Sequence, residues 1–154
     1  MSNSYDTQRP YAASYVIFRK GNQAAFVLRQ NTTWMNNRHG LIAGKVEHGE
    51  SFAEAALREA QEEAGVALQP EQLKPVLVMH RNSGDMTWVD VFFEVTEWKG
   101  EVIKGEPHMH ASLDWLDLTD LPDTIIPSLH VGLRAYVAGE QYCEYGWLPG
   151  EANE

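Results

Sequence analysis

The chain has 154 residues and a net charge of −10, with 44% hydrophobic, 10% aromatic and 22% charged residues. That describes one globular domain rather than a disordered chain, long enough to bury a core without staples. The acidic balance argues against a basic surface that tracks a nucleic-acid polymer, although an acidic protein can still hold a phosphorylated small molecule through a divalent cation. Cys143 is the single cysteine; no internal disulfide can form, and a reducing cytoplasm is the expected setting. The opening MSNSYDTQRP has no basic region followed by an apolar run, so no signal peptide is expected. No stretch approaches the roughly 18 apolar residues of a membrane-spanning helix. Residues 1–10 are expected to be a flexible N-terminal segment and residues 11–154 a single domain.

Ala12 to Arg19 reads as a strand and Ala24 to Arg29 as its hairpin partner, joined through Gly21-Asn22. Asn31 to Gly40 is polar and turn-rich and reads as a loop; Leu41 to Ala43 is a short apolar entry to the glutamate-rich stretch that begins at Gly44. Leu73 to His80 and Met86 to Val95 read as two further strands around an Asn82-Ser83-Gly84-Asp85 turn. Leu113 to Leu116 is a short strand. Pro127 to Gly139 is a helix with Leu129, Leu133, Tyr136 and Val137 as its apolar stripe. Strands outnumber helices, which predicts an α/β layered domain with a mixed sheet.

The stretch GKVEHGESFAEAALREAQEEAGV, residues 44–66, predicts a helix from about Phe52 to Ala64. Ser51 is a good N-cap, with Glu54 completing a capping box, and Gly65 is a good residue just past the end. At roughly 100° per residue, Ala53, Ala56, Leu57, Ala60 and Ala64 share the buried arc, while Glu59, Glu62 and Glu63 share a neighbouring one. Like charges three and four residues apart cost a few tenths of a kcal/mol per pair. One account is a solvated acidic face. The other is a hard divalent cation such as Mg²⁺, which takes carboxylate oxygens together with substrate phosphates.

The same stretch resembles the signature of the Nudix hydrolase family, G-x5-E-x7-R-E-U-x-E-E-x-G-U with U apolar. Gly44, Glu50, Arg58, Glu59, Glu62, Glu63 and Gly65 fill the fixed positions, and Ala60 and Val66 the apolar ones. The resemblance implies the Nudix fold, a mixed β-sheet sandwiched between α-helices. It implies hydrolysis of a nucleoside diphosphate linked to another group, with Mg²⁺ as cofactor and Mn²⁺ as substitute. It assigns Glu59, Glu62 and Glu63 to the metal, Glu59 and Glu62 to catalysis, and Arg58 to orienting one of those carboxylates. Ala43 or Gly44, before the helix, would lend a backbone carbonyl to the metal. That loop departs from the common W-x-x-P-G-G, reading His39-Gly40-Leu41-Ile42-Ala43-Gly44.

The MutT-like branch carries a further glutamate after a Trp-x-Gly-Glu run. Here Trp98-Lys99-Gly100-Glu101 precedes Glu106, which fits that role as extra metal ligand or general base. Arg29 could contact phosphates or be an edge arginine; Lys45, like Gly44, is a candidate for substrate binding. His108 and His110 form an H-x-H pair that solvent or loop packing explains as well as a metal does. Trp34 and Trp88 could stack on a base or pack structurally. The aromatic tail Tyr142 to Trp147 could pack on the domain, cover the site or meet a partner.

The leading expectation is a hydrolase of nucleoside triphosphates, damaged or noncanonical ones included, giving the monophosphate and pyrophosphate. Hydrolysis of ADP-ribose or another nucleoside-diphosphate-linked compound is the alternative, and a non-catalytic nucleotide sensor a third reading. Ile125-Ile126 stands where an asparagine reading oxidised guanine would be sought. The partner is a small nucleotide, not a nucleic-acid polymer or a membrane. The oligomeric state is open, with a homodimer among the arrangements allowed.

Overall fold

The computed structural model describes residues 7–151 and 154. Within them, eight strands and two α-helices run in the order β1 (Tyr11–Lys20), β2 (Gln23–Arg29), β3 (His39–Gly40), β4 (Ile42–Lys45), α1 (Phe52–Ala64), β5 (Lys74–Asn82), β6 (Thr87–Val95), β7 (His110–Asp117), α2 (Pro127–Val137) and β8 (Tyr142–Tyr145). The sheet runs β3-β2-β1-β6-β5-β8, with β4 also pairing β1 and β7 pairing β2. It is mixed: β1 runs antiparallel to β2 and β4 but parallel to β6, and β8 joins β5 in parallel.

The period of two along β1 divides the core between the two faces of the sheet. Ile17 packs with Leu77, Phe92 and the α2 residues Leu129, Leu133 and Tyr136. Its neighbours Val16 and Phe18 pack with Phe93, Val95 and the α1 residues Ala56, Ala60 and Ala64. The small alanines let α1 lie close to the strands. A mixed sheet between helices is therefore the architecture, as the sequence predicts.

Several elements differ from the sequence reading. Residues 1–6 of the expected flexible segment lie outside the described residues, and residues 7–10 are exposed, without helix or strand. The end of the expected loop forms β3, because His39 and Gly40 pair with Leu28 and Val27. Strand β7 is twice the expected length, since its polar first half is held along β2. The aromatic tail supplies β8, and Trp147 beyond it packs on His80 and donates its indole N–H to the His80 carbonyl. Val137 is exposed; Ala135 is buried instead.

On α1, Ser51 Oγ accepts from the Glu54 N–H at 3.1 Å, but Glu54 returns no bond among the described residues, so the cap is half of the expected box. The buried set is Ala55, Ala56, Glu59, Ala60 and Ala64, while Ala53 and Leu57 are only half-buried. At roughly 100° per residue, Ala55, Glu59, Glu63, Ala56, Ala60 and Ala64 occupy one half-turn, and Glu62 lies just outside it. The buried arc is thus rotated toward the acid side chains, and Glu59 is 7% exposed. A solvated acidic face does not describe that residue.

Candidate active site

Strand β4 and helix α1 meet so closely that Glu59 lies against the backbone of Gly44. A Cβ at position 44 would sit 1.9 Å from Glu59 Oε1 and 2.3 Å from its Cδ. Glycine is required there by contact, not by dihedral angle. One turn on, Glu63 Oε2 accepts the Ala43 N–H at 3.0 Å. Burial first, then the carboxylates of Glu59 and Glu106, push the Glu63 carboxyl up to about 8. Burial likewise raises Glu59, against the pull of Arg58. Carboxylates gathered in a poorly solvated place repel one another and resist ionisation, a state that a cation relieves.

Arg58 is engaged from all sides. Its Nε and Nη2 donate to both oxygens of Glu50 at 2.8 and 3.0 Å, Nη1 donates to Glu59 at 2.7 Å, and Nη2 reaches the Lys45 carbonyl at 3.0 Å. Glu62 is a weaker partner, 3.4 Å from Nη1, and its side chain is half exposed. Arg58 therefore ties the loop before α1 to the helix and fixes Glu59. The guanidinium bonds hold Glu50 down at about 2, helped by the Glu47 N–H. A carboxylate with a depressed folded pKa stabilises the fold above its unfolded value near 4.5 and loses that contribution as pH falls toward about 2. The melting temperature of Glu50→Gln should accordingly lie below wild type at pH 7, and the gap should close between about pH 4.5 and about pH 2. A gap unchanged over that window would show that the ion pair contributes nothing.

Glu106 arrives on the loop between β6 and β7. Gly105 N–H donates to the Glu63 carbonyl and Ile103 N–H to the Ala64 carbonyl, both at 3.0 Å, capping the free end of α1. A Cβ on Gly105 would fall 2.3 Å from the Glu62 carbonyl oxygen. Gln30 and Asn31 side chains hold the Pro107 and His108 carbonyls at 2.8 Å each. The result is a cluster in which ligand atoms of Glu63, Glu106 and His110 lie within 4.8 Å of one another.

Beside the cluster opens a cleft of about 550 Å³, a size that suits a small-molecule ligand. Its lining includes the charged groups Glu63, Lys45, Arg29 and Arg81, His110, the Gly44 backbone, the rings of Tyr15, Trp34 and Trp88, and Ser128. Arg29 crosses over Trp34, 4.9 Å from the ring centroid, and Lys45 approaches Trp88 at 5.7 Å. Arg81, which lines the cleft, forms a buried pair with Asp90, Nε to Oδ2 2.8 Å and Nη2 to Oδ1 3.2 Å. The Arg81 guanidinium also lies over Trp88. Ala43, Glu63, Arg29, Gly44 and Lys45 thus line one cleft, Glu106 stands beside Glu63, Glu59 lies against Gly44, and Glu62 is half exposed next to Arg58. Sequence reasoning missed Tyr15, Arg81 and Asp90. The available signal was a charged Asp90 amid the apolar run of β6, on the face that also carries Trp88 and Phe92.

A fold of this kind, with clustered helix carboxylates at the mouth of an aromatic cleft, defines a phosphoanhydride-cleaving enzyme class. The NUDIX domain model matches residues 8–135. The chain is 33% identical over 110 residues to the 8-oxo-dGTP diphosphatase of Escherichia coli strain K12, covering 69% of this chain and 83% of that protein. Among solved structures it is similar to the MutT NUDIX hydrolase from Burkholderia pseudomallei (TM-score 0.73, 24% identity, 82% of this chain and 98% of that one). The MutT protein from Methanosarcina mazei Go1 superposes with TM-score 0.69 at 17% identity, over 85% of this chain and 95% of that one. The chain belongs to the Nudix family, in its MutT-like branch, and is a hydrolase of phosphoric anhydride bonds. No helix among the described residues is long and apolar enough to cross a membrane.

Proposed function

We propose that the protein is a divalent-cation-dependent pyrophosphohydrolase of nucleoside triphosphates, with Mg²⁺ as the ordinary ion and Mn²⁺ as substitute. The observation that carries this reading is one cleft lined at once by Glu63 and His110 of the cluster, by Arg29 and Lys45, and by the rings of Tyr15, Trp34 and Trp88. Triphosphate oxygens belong against the charged groups and the nucleoside against the rings. The donor set fits the ion. Glu63 and Glu106 offer oxygens, Glu59 and Glu62 add charge on the same helix, and the Ala43 backbone stands next to them. When bound, the cation neutralises charge on the phosphates and makes a water acidic enough to attack.

The residues of the chain do the rest. Glu59, Glu62, Glu63 and the Ala43 carbonyl would hold the ion, with Glu106 beside Glu63 as a further ligand. Arg58 is a positioning residue that aims Glu59. Arg29 and Lys45 draw the phosphates in, and the Gly44 backbone lines the same cleft, its missing side chain leaving room for Glu59. Water oxygen bonds to a phosphorus in line with the bridging oxygen, the α–β anhydride bond breaks, and a carboxylate of the cluster takes the proton. Monophosphate and pyrophosphate leave. The E. coli relative is named for 8-oxo-dGTP, which belongs in the test panel. Ile125, however, is buried in the core at 2% exposure and offers a base no polar contact. The acidic surface favours a free nucleotide over a polymer, and the lone thiol favours the cytoplasm.

Products formed with Mg²⁺ should be separated and identified for ribo- and deoxynucleoside triphosphates, 8-oxo-dGTP, ADP-ribose and nucleotide sugars, the last two giving a sugar phosphate in place of pyrophosphate. Triphosphates are expected to turn over with pyrophosphate as product. Turnover confined to ADP-ribose or a nucleotide sugar would overturn the assignment.

A further inference from the structure

We propose that His110 is a nitrogen ligand to the cation held by Glu63 and Glu106, so that the site binds Mn²⁺ and later first-row ions more tightly than Mg²⁺. This rests on the cluster being the metal site, and it adds to the all-oxygen donor set that the helix glutamates provide.

The ring is placed for this. His110 is 4% exposed, and its Nδ1 is the one buried side-chain nitrogen among the described residues without a hydrogen-bond partner. A buried polar atom left unpaired is unfavourable unless something absent from the protein alone completes it. One of its nitrogens lies within 4.8 Å of carboxylate oxygens of both Glu63 and Glu106. Ligands about 2.1 Å from a shared ion stand about 3 Å apart when adjacent and about 4.2 Å apart when opposite, so side-chain movements of about 1–2 Å close the gap. Other histidines are occupied differently. His39 bonds Thr124 and Asp114 through its two nitrogens, His80 packs at a tilt against Trp147, and His108 is exposed.

The backbone fixes the ring as well. β2 and β7 slip register between the pairs Leu28–Ser112 and Arg29–His110, leaving Ala111 as the extra residue. A bulge of this kind re-aims the side chain beside it. The His110 N–H donates to the Glu106 carbonyl at 2.9 Å, so the histidine and the glutamate move as one turn. Imidazole nitrogen adds little for Mg²⁺, which prefers oxygen, and more along the order Mn²⁺, Co²⁺, Ni²⁺.

Apo protein is titrated with MnCl₂ and MgCl₂ by calorimetry, for wild type and His110→Ala. Mn²⁺ affinity is expected to fall about tenfold or more in the variant, and Mg²⁺ affinity by less than about threefold. Pulsed electron paramagnetic resonance on Mn²⁺-loaded wild type, with and without ¹⁵N-histidine, reads the bond directly and does not depend on the variant folding. A nitrogen coupling that changes with the isotope is expected. Absence of that coupling, or Mn²⁺ and Mg²⁺ losses of equal size, would overturn the role of His110 while leaving a metal-dependent hydrolase standing. Wild type that binds neither ion would remove both.

Discussion

Glu63→Gln is expected to lower kcat/KM for a nucleoside triphosphate by about 10³-fold while the protein remains folded. The two side chains have the same shape, and the amide oxygen can still accept the Ala43 N–H that Glu63 Oε2 now takes at 3.0 Å. What disappears is the charge that the cation needs. Without metal the substitution should not weaken the fold and should help it at alkaline pH. The folded Glu63 carboxyl is pushed up to about 8 by burial and by Glu59 and Glu106, from 4.5 in the unfolded chain. A raised carboxyl leaves stability intact below about 4.5 and erodes it as pH climbs to about 8, by up to about 1.4 kcal/mol per pH unit. Melting curves of the metal-free proteins from about pH 5 to about pH 9 should therefore show wild type falling relative to the variant. Adding Mg²⁺ should raise the wild-type midpoint and leave the variant nearly unmoved, because binding to the folded state alone stabilises it. A folded Glu63→Gln protein with full activity would remove Glu63 from the metal site.

Helix α1 was legible to the residue because its signals are local: Ser51 and Gly65 mark its ends, and the spacing of its glutamates is fixed by the helical repeat. How deeply those glutamates sit was not legible. The alanines tell that one face packs closely, but only the sheet decides that the contact is centred near Ala56 and Glu59 and leaves Glu62 outside. Strands β3 and β8 escaped notice for a related reason. Two or four residues with polar members carry no periodicity, and their pairing is decided by Leu28 and Val27, or by Val78 to Arg81, distant in sequence. His110 reads as a loop histidine until β2 pulls it into a strand and buries it. Arg81 and Asp90 lie nine positions apart in sequence and become a pair only across the β5–β6 hairpin.

Gly44→Ala is expected to cost about 10²-fold in kcat/KM and about 1–3 kcal/mol in stability, by crowding Glu59 rather than by straining its own backbone. The added methyl would stand 1.9 Å from Glu59 Oε1 and 2.9 Å from its Cγ. A free carboxylate would swing aside at little cost. Glu59 is not free: it is 7% exposed, and Arg58 Nη1 holds it at 2.7 Å. Moving it breaks that bond and disturbs Arg58, whose other contacts reach Glu50 and the Lys45 carbonyl. The strand, the helix and the preceding loop would shift together, and Glu63 with them through Ala43. A double-mutant cycle separates this from general damage. Combined with Glu59→Ala, the Gly44→Ala change should lose most of its effect on melting temperature, because the clashing atoms are gone, while activity stays low. Equal destabilisation by Gly44→Ala in both backgrounds would place the strain in the backbone and refute the close contact as its cause.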